Sequence, residues 1–213
     1  MKSFSKLLGL LGLTFLLVLL SLFVWVPKFV LLDARASKEG LFLLPAEVKE
    51  QFTGFTARKG RLFFKGRELL RFDELRLKLL PLQRLELVCG EGRLSLVFFL
   101  KRFRALEAEG YRCLSFAEEV SGRVRAVGDG FEGRLVVKGL VTDGTKAERL
   151  ELVFEGKRFR GKVVLAPGLT LTGGGSLKPG GELLDTRVEG SFRGSAGGFR
   201  LSGTLGRLRV EPL

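Results

Sequence analysis

The stretch that decides the fold is GFEGRLVVKG at residues 130–139, because a close copy, FRGKVVLAPG, occupies residues 159–168. Aligned on Phe131 and Phe159, both read Phe, a charged residue, Gly, a basic residue and then aliphatic residues. A third and poorer copy begins at Phe192. Repetition of this kind indicates one structural unit that recurs along the chain.

Each copy alternates apolar and polar side chains, and a period of two is typical of a β-strand with one apolar and one solvated face. The copies therefore predict equivalent strands of a meander that extend one apolar face. The Gly after each Phe either leaves room for a ring or marks a strand bend. The sequence leaves open whether protein groups fill this face or it forms an open groove. Its predicted members are Phe131, Leu135, Val137, Phe159, Val163 and Leu165.

The alternation continues through most of the chain, with Gly-rich turn signals such as Gly128-Asp129-Gly130 between the runs. Two segments depart from it. Residues 41–52 predict a short helix that begins near Pro45, and residues 114–122 predict one or two helical turns capped by Ser115. The predicted fold is mainly β, a curved antiparallel sheet that forms an open roll or groove, with one or two short helices.

The N-terminal segment predicts a transmembrane anchor. No charged residue occurs from Leu7 through Leu16 to Trp25 and Val26, and about 20 helical residues span about 30 Å, the thickness of a bilayer's hydrocarbon core. Two lysines precede the segment and favour a cytoplasmic N-terminus. The predicted organisation is a cytoplasmic stub and anchor over 1–28, a linker over 29–40 and an exported domain over 41–213.

A cleaved signal peptide is the alternative interpretation of this segment, with small residues at Ala34-Arg35-Ala36 near the required spacing. The apolar run is longer than a usual signal core, which favours the uncleaved anchor. Under both interpretations the domain is periplasmic, and under the first the protein is a single-pass inner-membrane protein.

The net charge of the chain indicates what kind of surface the protein contacts. The chain has 36 Lys and Arg against 23 Asp and Glu, a net charge of +13. The cations are dispersed singly along strand-like segments, which favours attraction to an anionic membrane surface over nucleic-acid binding. The absence of Asn and His, with abundant charged residues, is typical of proteins from thermophiles.

The sequence offers little catalytic chemistry. Without His there is no Ser-His-Asp or Cys-His nucleophile and no imidazole metal ligand, so we expect neither an enzyme nor a cofactor or metal site. Adjacent carboxylates such as Glu118 and Glu119 point in different directions in regular structure. Cys89 and Cys113 can form one disulfide in an oxidising compartment, and whether they pair is left open.

The order of features resembles the AsmA-like superfamily and, within it, the N protein family of type II secretion systems. The resemblance lies in LPAEVKEQF at 44–52, LRFDELRLKLLP at 70–81, and residues 114–122 followed by residues 123–138. It implies an inner-membrane protein with a periplasmic curved sheet, and it carries no catalytic residues to this chain.

Two functions follow as hypotheses. The first is a non-enzymatic accessory component of a type II secretion system or a related pilus, in contact with other secretion or envelope proteins. The alternative is a lipid-transfer or lipopolysaccharide-export-like protein that holds acyl chains in an apolar β groove.

Overall fold

The structure is a computed structural model that describes residues 27–38, 40–79, 82–99, 102–142, 145–166, 169–180, 185–195, 197–205 and 207–213. The predicted transmembrane segment, with Leu7, Leu16, Trp25 and Val26, lies outside the described residues. Within the described ranges, no helix has the length and apolarity needed to cross a membrane.

The described residues form one helix and fourteen strands. Helix α1 covers Lys28–Lys38. In chain order the strands are β1 (Leu41–Gln51), β2 (Gly54–Phe64), β3 (Arg67–Lys78), β4 (Gln83–Cys89), β5 (Gly92–Phe99), β6 (Arg102–Tyr111), β7 (Glu119–Val127), β8 (Gly130–Thr142), β9 (Thr145–Gly156), β10 (Arg158–Ala166), β11 (Leu169–Lys178), β12 (Arg187–Gly194), β13 (Gly197–Thr204) and β14 (Arg207–Pro212).

All fourteen strands belong to one curved antiparallel sheet in which spatial order is sequence order. This meander confirms the prediction of a mainly β fold built on a curved antiparallel sheet. Because strand direction alternates, the turns after odd-numbered strands lie at one end of the sheet, here called the basal end. The turns after even-numbered strands lie at the opposite, distal end.

The predicted turn at Gly128-Asp129-Gly130 is confirmed. Val127 of β7 pairs with Gly130 of β8, so Gly128 and Asp129 form a two-residue hairpin turn. Gly128 has a φ of 55°, a conformation that hairpin turns require and that Gly adopts without steric cost.

Residues 41–52 form the edge strand β1 and its turn, so the prediction of a helix there is wrong. β1 pairs with β2, and Pro45 lies opposite Gly60. Proline lacks the N–H that a central strand needs, but an edge strand tolerates it because one of its sides has no partner. Leu43 is buried whereas Phe42 and Leu44 are exposed, which is the alternation of a strand.

Residues 114–122, also predicted to be helical, contain no helical turn, so that prediction is wrong as well. From Glu119 onward the segment is β7, and residues 112–118 form a strap across the distal end of the sheet. The Arg71 N–H in β3 donates to the Cys113 carbonyl, and the Val141 N–H in β8 donates to the Phe116 carbonyl, each at 2.8 Å.

The strap is not helical because its backbone groups bond to strands that are distant in sequence. Ser115, predicted to cap a helix, uses its hydroxyl instead to donate to the carbonyl of Leu69 in β3 at 3.0 Å. Local propensity is a weak determinant when tertiary hydrogen bonds compete with it. The strap thereby bridges β3 and β8, which are separated by four strands in the sheet.

Helix α1 occupies most of the segment that the sequence predicts to be a linker. The Phe29 ring meets the Phe55 ring edge-on at 5.3 Å, and the Phe29 N–H donates to the Glu50 carboxylate at 2.8 Å. Glu50 and Phe55 flank the turn between β1 and β2, so the N-terminal end of α1 lies at the basal end. The helix covers part of the apolar face of the first strands.

Candidate functional site: the apolar face

The repeat occupies alternate strands of the meander. The first two copies lie on β8 and β10, with β9 and its two turns between them, and the third copy begins at Phe192 near the end of β12. Phe131 and Phe159 are both buried in one apolar cluster, so the predicted apolar face exists.

The six predicted face residues divide among three environments. Phe159, Val163 and Leu165 line an apolar groove in the C-terminal half of the sheet. Phe131 and Leu135 belong to or pack against the same cluster without lining the groove. Val137, 7% exposed, lies instead in a separate small cluster with Ala108, Ala117 and Val120.

The Gly of the second copy leaves room for a ring. A Cβ built on Gly161 would lie 2.7 Å from the ring of Phe192, which comes from two strands away. The row runs from Gly161 through Gly173 to Phe192. Contact across about 10 Å of strand spacing is possible because the intervening glycine has no side chain.

A reciprocal row lies beside it. Phe159 pairs with Gly175, which pairs with Gly190, and a Cβ built on Gly190 would lie 2.8 Å from the Phe159 ring. The centroids of the Phe159 and Phe192 rings lie 6.4 Å apart. The Phe159 and Phe192 rings form the floor of the groove, and their rows pass through Gly173 and Gly175 of β11.

The Gly of the first copy, Gly133, marks a bend in its strand, which is the second of the two roles predicted from the sequence. Gly133 has a φ of 134°, which L-residues rarely adopt, and a Cβ there would collide with the Arg123 carbonyl in β7. This glycine marks a strand distortion rather than room for a ring. The same motif thus serves two structural purposes in adjacent hairpins.

The N-terminal half of the apolar face is filled by protein groups. Its buried cluster is covered by Phe29 of α1 and by Leu114 of the strap. Tyr111, 0% exposed, donates its hydroxyl to the Arg71 carbonyl, and burial raises the pKa of this phenol well above its ordinary value, with a further contribution from Asp73. This half is an ordinary closed core.

The disulfide that the sequence left open is present. Cys89, at the end of β4, is bonded to Cys113 of the strap, and their Cα atoms are 6.2 Å apart, within the normal range for a disulfide. The bond fixes the strap against the β4–β5 hairpin. β4 pairs only with the second half of β3, and the strap lies beside the first half, where Leu114 forms a β-bridge with Leu70.

The C-terminal half of the face remains open. The groove there has a volume of about 500 Å³ and is lined by apolar residues from β8 to β14. Its floor is buried, with Phe192 at 1% exposure. Its rim on the last strands is open to solvent, with Leu208 at 43% and Val210 at 62%.

The opposite face of the sheet is charged. Ion pairs join neighbouring strands, among them Arg134 with Glu151. The carboxylates at 118 and 119 are also paired: Glu118 with Lys146, and Glu119 with both Lys138 and Arg112. Hydrogen bonds from Lys138 and then Arg112 hold the pKa of Glu119 below its usual range. These carboxylates have a structural role at the sheet surface.

Sequence reasoning did not assign the groove residues contributed by β9 and by the last strand. Leu150, Leu152 and Phe154 alternate along β9, and Leu208 and Val210 alternate along β14. The signal was the same period of two. A Phe-x-Gly triplet also occurs at the end of β9, from Phe154 to Gly156, but the run of aliphatic residues that follows it on β8 and β10 is missing there. Among the described residues, no group of three or more Cys, Asp or Glu is placed to hold a metal ion.

Comparison with known proteins gives one relative. A protein of Aquifex aeolicus (strain VF5), named only "Uncharacterized protein", is 30% identical over 187 residues, which cover 86% of this chain and 84% of the relative. The chain belongs to the family of this Aquifex protein. No family model matches the chain, and no solved structure matches it significantly. The likeness to the Aquifex relative extends far beyond any single apolar segment.

Proposed function

We propose that this protein is a non-enzymatic envelope protein that holds acyl chains of lipids in the groove of its curved sheet. The observation that supports this proposal is the difference between the two halves of one apolar face. The N-terminal half is covered by α1 and the strap, whereas the C-terminal half has a groove of about 500 Å³ with exposed apolar residues at its rim. Soluble proteins rarely leave such a surface uncovered without a ligand or partner.

The dimensions of the groove suit an acyl chain. It crosses six inter-strand steps from β8 to β14, or about 29 Å at about 4.8 Å per step. A bilayer's hydrocarbon core of about 30 Å holds two leaflets, so one acyl chain extends about 15 Å. The volume lies within the range of about 300–1,000 Å³ that is usual for ligand sites.

The proposal includes the location and relationship inferred from the sequence. Residues 7–26 anchor the chain in the inner membrane with the N-terminus in the cytoplasm, and the sheet lies in the periplasm. Membership of the AsmA-like superfamily is part of this proposal. The consecutive curved meander, the order of sequence features and the disulfide support it.

A second candidate function is the accessory role in a type II secretion or related pilus system. The observation that favours it is the free edge of β14, all of whose residues are exposed. An unpaired strand edge can accept a strand from another protein. The assembly role uses the backbone edge of β14, whereas lipid binding uses apolar side chains of the sheet face, including Leu208 and Val210 on the same strand.

The test of lipid binding compares two double variants at opposite edges of the sheet. Leu208→Asp with Val210→Asp places charge at the groove rim, whereas Phe42→Asp with Leu44→Asp places it at exposed positions of the same spacing on β1. The full-length protein is purified from membranes, washed extensively and extracted for lipid mass spectrometry. We expect stoichiometric lipid with the wild type and the β1 variant, and strongly reduced lipid with the β14 variant.

Equal lipid content in all three proteins would contradict acyl binding in the groove. If pull-down of secretion or envelope proteins is lost when β14 is deleted while lipid content is retained, the second function is favoured instead.

A further inference from the structure

A second cavity, the basic basin, lies at the basal end of the sheet. It has a volume of about 450 Å³ and is formed by residues of the β5–β6, β7–β8, β9–β10 and β11–β12 turn regions. These four turns follow odd-numbered strands, so the meander brings them to the same end although they are widely separated in sequence.

The basin is rich in positive charge. Its lining includes four cations, Arg102, Arg104, Lys157 and Lys178, and one carboxylate, Asp129. Asp129 is 89% exposed and lies 3.7 Å from Lys157. Among the residues that the structure describes, Arg102 and Lys178 have no carboxylate within ion-pair distance. Most cations on the strands from β2 to β9 are paired, whereas on β10 to β14 only Arg160 among the described cations has a carboxylate within ion-pair distance. The basin is distinguished because four cations converge on one cavity.

The floor of the basin is apolar and continuous with the groove. The rings of Phe103 and Phe131 lie 5.9 Å apart and belong to or pack against the cluster that includes the groove floor. Leu177 lines the groove and the next residue, Lys178, lines the basin. Thr186, 1% exposed, also lines the basin.

We propose that the basic basin binds the anionic headgroup, a phosphate or carboxylate, of the lipid whose acyl chain lies in the groove. The inference rests on the proposed function and narrows its substrate class to anionic lipids. Arg102 and Lys178 contact the headgroup oxygens by charge-assisted hydrogen bonds. Zwitterionic lipids of the same chain length bind less tightly because they bring no net charge to the cations.

The position of α1 is consistent with this assignment. Its N-terminal end lies at the basal end of the sheet, through the contacts of Phe29 with Glu50 and Phe55. The segment proposed to span the membrane ends at this point. The basin is therefore on the end of the domain where the bilayer's anionic headgroups lie.

The experiment uses full-length protein in phosphatidylcholine nanodiscs that contain a trace of photoreactive lipid. The probe is phosphatidylglycerol or phosphatidylcholine carrying the same diazirine-labelled chain, and the readout is the cross-linked yield in peptides of β9–β14. We expect about a tenfold preference for the phosphatidylglycerol probe, since a hydrogen bond to a charged group accounts for roughly that factor.

Arg102→Gln with Lys178→Gln should abolish the preference while leaving the phosphatidylcholine yield unchanged. The matched control, Arg193→Gln with Arg200→Gln, removes two cations from the opposite face of β12 and β13 and should retain the preference. If the double variant does not fold by circular dichroism, Lys178→Gln alone, at an exposed strand end, provides the same comparison.

Equal yields of the two probes with the wild type would overturn the headgroup assignment while leaving acyl binding intact. The absence of cross-links from either probe would overturn the proposed function as well. Loss of the preference in millimolar inorganic phosphate at constant ionic strength would show a site for the free anion and would overturn the assignment to a lipid headgroup.

Discussion

The ring of Phe192 lies over Gly161, two strands away, so that a Cβ at Gly161 would be 2.7 Å from the ring. This contact explains the glycine in the second copy of the repeated phrase. The Phe192 ring needs a residue without a side chain on β10, and Gly161 provides it, as Gly190 on β12 does for the ring of Phe159.

The first prediction concerns this contact. Gly161→Ala should lower the free energy of unfolding by about 1–3 kcal/mol through overpacking. Phe192→Leu in the same chain should relieve the collision, giving a coupling energy of about 0.5–3 kcal/mol in a double-mutant cycle measured by urea unfolding. Additive effects of the two substitutions would contradict the account.

Gly133 provides the contrasting case. Gly133→Ala should also destabilise, by about 1–3 kcal/mol, because its φ of 134° is unfavourable for Ala and the backbone of β7 blocks the Cβ. Since the obstacle is a carbonyl group, trimming Val124, its partner in β7, to Ala should not restore stability. If Val124→Ala restored the stability that Gly133→Ala removes, side-chain packing rather than the backbone would cause the destabilisation.

How far the sequence predicts this structure depends on the range of the interactions. The period of two and the turn at 128–130 are local, so the strands from β2 onward and the apolar face were predictable. The strap was not, because its conformation depends on hydrogen bonds that N–H groups of β3 and β8 donate to the carbonyls of Cys113 and Phe116. The sequence also could not predict that the groove is open. Apolar and polar residues alternate along a strand in the same way whether or not other protein groups cover its apolar face.

The second prediction tests the strap. The disulfide closes a loop with a sequence separation of 24, and its removal in Cys89→Ser with Cys113→Ser should cost about 3 kcal/mol. Hydrogen exchange of the full-length protein should accelerate in residues 112–118 and in the first half of β3, but not in β10–β13. Reductant should reproduce this pattern in the wild type and have no effect on the variant.

Uniform acceleration over all strands would contradict the view that the strap closes only the N-terminal half of the face.

The third prediction concerns pH. Burial raises the pKa of Tyr111 in the folded protein above the ordinary value of 10.0, so above about pH 10 the unfolded state binds fewer protons than the folded state. The contribution of this group to stability is therefore complete below pH 10 and declines as pH rises, by up to about 1.4 kcal/mol per pH unit.

Tyr111→Phe should be less stable than the wild type at pH 8 by about 1 kcal/mol, through loss of the hydrogen bond to the Arg71 carbonyl. Denaturation at pH 9, 10 and 11 should show the difference shrinking as the wild type alone loses this contribution. A difference that stays constant or grows with pH would contradict the assignment of a buried, protonated phenol.

The most direct test of the open groove places a photoreactive residue on either face of one strand. p-Benzoylphenylalanine replaces Val210, at the groove rim, or Arg209, which points to the opposite face of β14, in full-length protein within native membranes. We predict lipid adducts by mass spectrometry from position 210 and none from position 209. Equal adduct yields from both positions, or none from position 210, would contradict the claim that the C-terminal half of the apolar face is open to lipid.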